Sequence, residues 1–217
     1  MLTFNLKREW LSLATILAMF VVSLLVYPSL PDVIPTHWDI NGQADNFAPK
    51  SIGAWALPVL SIALYALLYL APYFDPKRAS LERSADTYIL IRTVTMLFFL
   101  FIHSLSLYST FQGDQSLSTV WLTIGMGLLF IVLGNYMPRM KPSWIAGIRT
   151  PWTMSSETVW TKTHRFGGRV FVIGGIVVCL TAFLPIVTGT IVLIVALAAA
   201  SLIPVGYSYW VWRQEQA

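Results

Sequence analysis

Long apolar runs, broken by short polar connections, organise this chain. Residues 10–31 and 51–74 carry no ionised side chain, 93–113 carry only His103, 115–138 carry none, and 170–212 extend for 43 residues without one. About 20 apolar residues cross a bilayer core. The first four runs therefore predict one helix each and the last predicts two, divided at residues 185–190, where Pro and Gly interrupt it. The expected helices cover about 10–30, 52–73, 88–111, 116–137, 169–186 and 190–212. Lys7 and Arg8 give the first run a basic start like that of a secretory signal. Its length and the lack of a small-x-small cleavage site predict a retained helix instead. The expected fold class is an all-α integral membrane protein, with six transmembrane helices in a single membrane domain spanning 1–217.

Composition agrees. Of 217 residues 56% are hydrophobic and 11% charged, against about 25% charged in soluble domains. That excludes disorder and a typical soluble enzyme. Cys179 is the only cysteine, so no internal disulfide framework can form.

Charge adds orientation. Lys and Arg collect on the cytoplasmic side of short loops. With both termini cytoplasmic, thirteen of the 14 Lys and Arg residues lie inside, and Lys50 lies outside with Asp32, Asp39, Asp45 and Asp114. The net charge of +4 then reads as an orientation signal and an attraction to membrane lipids, not as direct nucleic acid binding. Trp10, Trp210 and Trp212 at inner helix ends, and Trp55 and Trp121 at outer ones, suit interfacial anchors.

Two connections are too long and too specific to be simple linkers: an outer loop at 31–50 and a cytoplasmic loop at 138–168. Ordered long loops are where function concentrates. In the outer loop three prolines disfavour helix and Asn41-Gly42 suits a tight turn. The loop reads as a structured cap, with Trp38 and Phe47 dipping toward the membrane. Asp39, Asn41, Gln43 and Asp45 imitate the oxygen spacing of a calcium loop. Ala44 stands at the sixth position and Lys50 at the twelfth, so that reading fails and no metal or other cofactor is expected. The loop is then either a hydrogen-bonded structural element or a recognition surface.

In the cytoplasmic loop, Pro151 interrupts helix, and Thr153 or Ser155 can cap a short helix carrying Glu157 in its first turn. Trp160 and His164 share one face of it, and Gly167-Gly168 is expected to end it before the fifth transmembrane helix. It reads as a short interfacial helix, serving either lipid contacts or partner docking.

The residues of both loops resemble the SdpI family. Leu30-Pro31-Asp32, Pro35-Thr36-His37-Trp38, Gly42 and Asp45 match its N-terminal signature. Gly134-Asn135-Tyr136-Met137-Pro138, Gly147-Ile148-Arg149-Thr150-Pro151-Trp152-Thr153 and Trp160-x-x-Thr163-His164-Arg165 match its C-terminal one. The resemblance implies a multi-pass bacterial plasma-membrane protein that gives immunity to a secreted antimicrobial peptide toxin. It further implies signalling, in which the toxin-loaded protein holds a cytosolic transcriptional repressor at the membrane. Recognition would use Pro31, Asp32, Pro35, His37, Trp38, Gly42 and Asp45. Signalling or partner contact would use Asn135, Pro138, Gly147, Arg149, Thr150, Pro151, Trp152, Trp160, His164 and Arg165.

The third helix offers a polar stripe: Arg92, Thr95, His103, Ser106 and Thr110. Ionisable groups inside a membrane face the bundle interior. His103 is there either as a neutral hydrogen-bonded residue or as a proton carrier. A proton-coupled or small-molecule transporter is a rival reading, though no paired broken helices mark a transport site. A membrane-embedded enzyme is another. His37 and His164 fall on opposite sides, and no nucleophile elbow, HExxH or Walker loop is present, so no catalytic residue is assigned.

Overall fold

The computed structural model describes residues 5–112 and 115–216; Asp114, expected on the outer side, lies outside them. Among the described residues, six helices are long and apolar enough to cross a membrane. In chain order the elements are α1 (Leu6–Val26), β1 (Val33–Trp38), β2 (Ala44–Pro49), α2 (Lys50–Leu70), α3 (Arg78–Glu82), α4 (Ala85–Thr110), α5 (Thr119–Tyr136), α6 (Pro151–Ser155), α7 (Glu157–Thr181) and α8 (Ile186–Gln216). The protein is a multi-pass helical membrane protein, as its apolar runs require.

Local chemistry sets the helix ends. Asn5 caps α1 through Lys7 N–H, Ser118 caps α5, and Ser156 caps α7 with Glu157 in the first turn, where an acid meets the positive helix end. Helices α1, α2 and α5 each tighten into a proline-bearing 3₁₀ turn, at Tyr27–Ser29, Ala71–Phe74 and Met137–Arg139. Proline cannot continue the ladder.

Three features go beyond or against expectation. The structured cap at 31–50 is a two-stranded antiparallel hairpin, β1 against β2, which adds a small sheet to an otherwise helical fold. Its prolines sit where the ladder tolerates them, and a register shift between Pro35 and His37 re-aims the strand. Next, α7 runs unbroken through Gly167-Gly168 for 25 residues, so the expected interfacial helix and fifth span are one helix. The short helix of that loop is α6, capped by Thr150 in a reciprocal bond with Thr153. Finally, the turn before α8 falls at residues 182–185, and Gly189 lies inside α8.

Helices α1, α2 and α4 form one group, α5, α7 and α8 another, and α4 meets α5 between them. The α5–α7 pair is the tightest. A Cβ on Gly127 would lie 2.6 Å from the Gly175 carbonyl oxygen, and one on Gly134 would lie 2.6 Å from that of Gly168. Antiparallel backbones thus touch at two levels, as small residues permit in membranes. Buried apolar clusters close both ends. Leu30, Ile34, Ala54 and Leu107 seat the hairpin; Leu81, Ala85, Tyr88 and Met140 seat the connections at the opposite end, called the platform here.

Candidate functional site

At the hairpin end, Asp39 builds the turn. Its Oδ1 accepts from Asn41 N–H (2.8 Å) and Gln43 N–H (2.9 Å), and its Oδ2 from the Asn41 amide (3.0 Å). These bonds hold its carboxyl below the ordinary aspartate range, the Gln43 backbone bond acting most strongly. Gly42 has φ +78°, and a Cβ there would meet the Leu117 carbonyl at 2.4 Å. Leu117 N–H donates to the Gly42 carbonyl at 2.8 Å. Trp38 is half-buried, and its indole N–H donates to the Gln115 carbonyl at 3.0 Å. The hairpin tip is thereby fixed to the α4–α5 connection.

His37 and Asp45 face each other across the hairpin at 2.6 Å, with side chains 68% and 46% exposed. Lys50 closes the base, pairing with Asp32 (3.3 Å) and donating to the Leu30 carbonyl (3.3 Å). Pro35 is buried while Pro31 is exposed. The seven outer-loop residues singled out in the sequence therefore all lie on one hairpin and its base. Beneath the tip a groove of 290 Å³ runs between α5 and the α7–α8 turn, lined by Asp39, Ile40, Thr123, Met126, Leu184 and Thr190 among others.

The platform is a compact polar fold. Asp75 organises it, accepting from Ser143 Oγ–H (2.6 Å), Trp144 N–H (3.2 Å) and Lys77 N–H (2.7 Å). Trp160 and His164 are fully buried and stack with ring centroids 3.9 Å apart, so their shared face points inward rather than to lipid. Trp160 donates its indole N–H to the Met140 carbonyl at 2.8 Å. His164 Nδ1 meets the Trp160 carbonyl at 2.8 Å, and Nε2 accepts from Ile148 N–H at 3.0 Å. Because Nε2 faces an N–H and Nδ1 faces an oxygen, the ring is the Nδ1–H tautomer. Gly147, at φ +111°, passes directly over this stack; a Cβ there would lie 2.5 Å from His164 Nε2.

Thr150 reaches Ser208 of α8 at 3.0 Å, Pro151 opens α6, and Trp152 packs on Tyr209. Arg149 donates to the Trp144 carbonyl at 2.5 Å and stays exposed. Gly147, Thr150, Pro151, Trp152, Trp160 and His164 are thus brought together, with Arg149 at their edge. Asn135, Pro138 and Arg165 are not part of that group and instead line a separate cleft between α5 and α7.

The α4 stripe divides. Arg92 is buried in an ion pair with Glu9 of α1. The rings of Tyr65, Tyr69 and Tyr88 surround its guanidinium at 5.3–5.9 Å, and Tyr65 Oη–H donates to Glu9 at 3.0 Å. His103 Nε2 lies 2.8 Å from Ser23 Oγ. Ser23 also reaches the Ala54 carbonyl at 2.7 Å, an acceptor that Pro58, four residues on, cannot serve because it has no N–H. Thr95 and Thr110 instead bond carbonyls of their own helix, as does Ser109 toward Ser106. The polar contacts concentrate where α1 meets α4: Glu9–Arg92, Ser12–Thr93 (2.8 Å) and Ser23–His103. Glu9, Ser12, Ser23 and Asp75 escape a reading by apolar runs. The available signal was Arg92 itself, since a charge in a span demands a partner of opposite sign.

The SdpI/YfhL protein family profile matches residues 139–208, which contain most of the platform loop, α6, α7 and most of α8. A domain of unknown function, DUF1648, matches residues 14–62, containing the hairpin. Immunity protein SdpI of Bacillus subtilis (strain 168) is 26% identical over 178 residues, covering 82% of this chain and 83% of that protein. The uncharacterized membrane protein YbgB of the same organism is 34% identical over 58 residues, 27% of this chain and 60% of that one. No solved structure matches the chain. With the hairpin and platform each carrying their signature residues and a relative aligned across both, this membrane protein is similar to the SdpI family over most of its length.

Proposed function

We propose that the protein confers immunity to a secreted antimicrobial peptide, received outside the cell on the hairpin and the groove beneath it. The observation that carries this reading is the fixed hairpin. Its tip is pinned to the α4–α5 connection through Gly42–Leu117 and Trp38–Gln115, yet His37 and Asp45 remain exposed on it. A preorganised polar edge above an apolar groove suits an amphipathic peptide, because little ordering cost remains to be met on binding. The likeness to an immunity protein over most of both chains supports the same reading, and the concentration of Lys and Arg at the platform end supports placing the hairpin outside.

No group with a nucleophile and base in reach is invoked, and the SdpI family is not a family of enzymes. Protection comes from binding, and occupancy reaches the platform through the α1–α4 seam. A peptide can shift that seam only by favouring one of two packings. On the platform, Trp144, 52% exposed, and Arg149 form the face offered to a cytosolic repressor.

The test is survival and membrane potential of a toxin-sensitive bacterium expressing the protein at matched levels. Wild type is expected to protect and His37→Ala to lose protection, with Arg149→Ala keeping protection but losing any repressor recruitment. Equal protection by His37→Ala, Trp38→Ala and Asp45→Ala would overturn recognition at the hairpin.

A further inference from the structure

The cleft between the end of α5 and the first half of α7 is unused by this reading, and its chemistry is of one sign. It encloses 500 Å³, and its polar lining consists of Arg165, Arg169 and Asn135, with no carboxylate among the lining residues. Arg165 and Arg169 are one turn apart on α7, so their guanidiniums stand on one face. Both are exposed. Neither has an ion pair or hydrogen bond among the described residues, whereas Arg8, Arg78, Arg83 and Arg92 each meet a carboxylate.

Two further observations define the occupant. The cleft has a rigid floor, because a Cβ on Gly168 would lie 2.5 Å from the Gly134 carbonyl and 3.0 Å from the Pro138 ring; backbone, not a movable side chain, closes it. One helical turn beyond the arginines, toward the middle of the span, the lining becomes Val172 and Ile173, the latter 62% exposed. The cleft is therefore cationic at the helix end and apolar toward the membrane interior. A phosphate with a hydrocarbon chain attached has the same polarity order. Guanidinium pairs bind phosphate oxygens in forked geometry, and basic clefts between transmembrane helices are suited to anionic headgroups.

We propose that this cleft holds one anionic phospholipid, its phosphate between Arg165 and Arg169 with the Asn135 amide alongside, and one acyl chain along Val172 and Ile173. The lipid neutralises two charges that otherwise border hydrocarbon unpaired, and it wedges α5 and α7 where their backbones touch. The inference stands independently of peptide immunity.

The full chain, purified in mild detergent, is titrated with phosphatidylglycerol, phosphatidylcholine or inorganic phosphate and followed by native mass spectrometry. Wild type is expected to retain a single phosphatidylglycerol with a preference over phosphatidylcholine on the order of tenfold, which two surface arginines can supply. Arg165→Gln/Arg169→Gln should lose that preference, and Arg165→Lys/Arg169→Lys should keep part of it. Should the Gln pair fail to fold, Ile173→Trp, which fills the chain slot and leaves both charges, should lower retention. Equal retention of both lipids, a preference unchanged in these variants, or displacement of the lipid by millimolar phosphate would overturn the proposal. So would a site that takes up an acidic peptide but no lipid.

Discussion

His164 Nε2 accepts the backbone N–H of Ile148 at 3.0 Å across sixteen residues of chain. One side chain of α7 thereby fixes the loop whose Gly-Ile-Arg-Thr-Pro-Trp segment carries the family signature. With Nδ1 engaged by the Trp160 carbonyl, both ring nitrogens are occupied, so the motif histidine is a clamp on the platform.

Removing that clamp has a stated cost. His164→Ala leaves the part-buried Ile148 N–H without its acceptor and empties a site stacked on Trp160. It is expected to destabilise the protein by about 2–4 kcal/mol. Gly147→Ala, which strains φ +111° and strikes the same ring, should be comparably severe. Thermal unfolding in detergent measures both, and a Tm within a degree of wild type for either would refute the clamp.

Glu9 and Arg92 form a buried pair, and the effects of breaking it should be markedly non-additive. Glu9→Gln or Arg92→Met alone leaves one buried charge uncompensated and is expected to cost about 3–5 kcal/mol. The double variant should cost less than either. A double-mutant cycle on detergent stability reads the difference, and additive losses would mean that the two charges are not coupled.

Ser23 supplies the hydrogen bond that Pro58 denies to the Ala54 carbonyl. Ser23→Ala should therefore cost about 1–2 kcal/mol. In a Pro58→Ala background the residue 58 N–H can resume the helical bond, so the same change should cost clearly less. Equal costs in the two backgrounds would show that Ser23 serves His103 alone.

Glycines in the bundle should separate into two kinds. Gly134→Ala places a Cβ 2.6 Å from the Gly168 oxygen and should force α5 from α7, with loss of stability and yield. Gly206, whose Cβ position has nothing within 4 Å, should accept Ala with no loss and up to about 1 kcal/mol of gain from helix propensity. The comparison is made by melting the two variants side by side.

Acid should open the hairpin tip late. Asp39 has a lowered native pKa, so its contribution is fully present above its ordinary value of 3.8 and is lost as pH falls through the lowered one. The Asn41 and Gln43 amide resonances should hold steady down to that ordinary value and move only below it. A midpoint at or above 3.8 would contradict the turn described here, and Asp39→Asn should remove the transition.

The membrane spans were legible because hydrocarbon imposes a simple requirement, about 20 residues without charge, and residues 10–31 or 115–138 meet it without reference to any neighbour. The Asn41-Gly42 turn and the shared face of Trp160 and His164 were legible for the same reason, since each depends on local geometry alone. Both long connections were also legible as ordered elements of the chain, since the hairpin and the platform are built from them. What each does locally was not. Period-two alternation is obscured in β1 by Pro35 and the register shift beside it, so the hairpin was invisible until β2 paired with it. Gly167-Gly168 reads as a helix end in isolation, yet both lie inside α7, where Gly168 serves a close approach to the α5 backbone that side chains would block. The spacing of Trp160 and His164 shows that they share a face but not what covers it, and Gly147 and Met140 do so from a distant segment. Arg92 announced a buried charge, but its partner Glu9 lies just outside an apolar run and 83 residues away. Such pairings are settled by which helices touch, and only the assembled bundle brings those helices together.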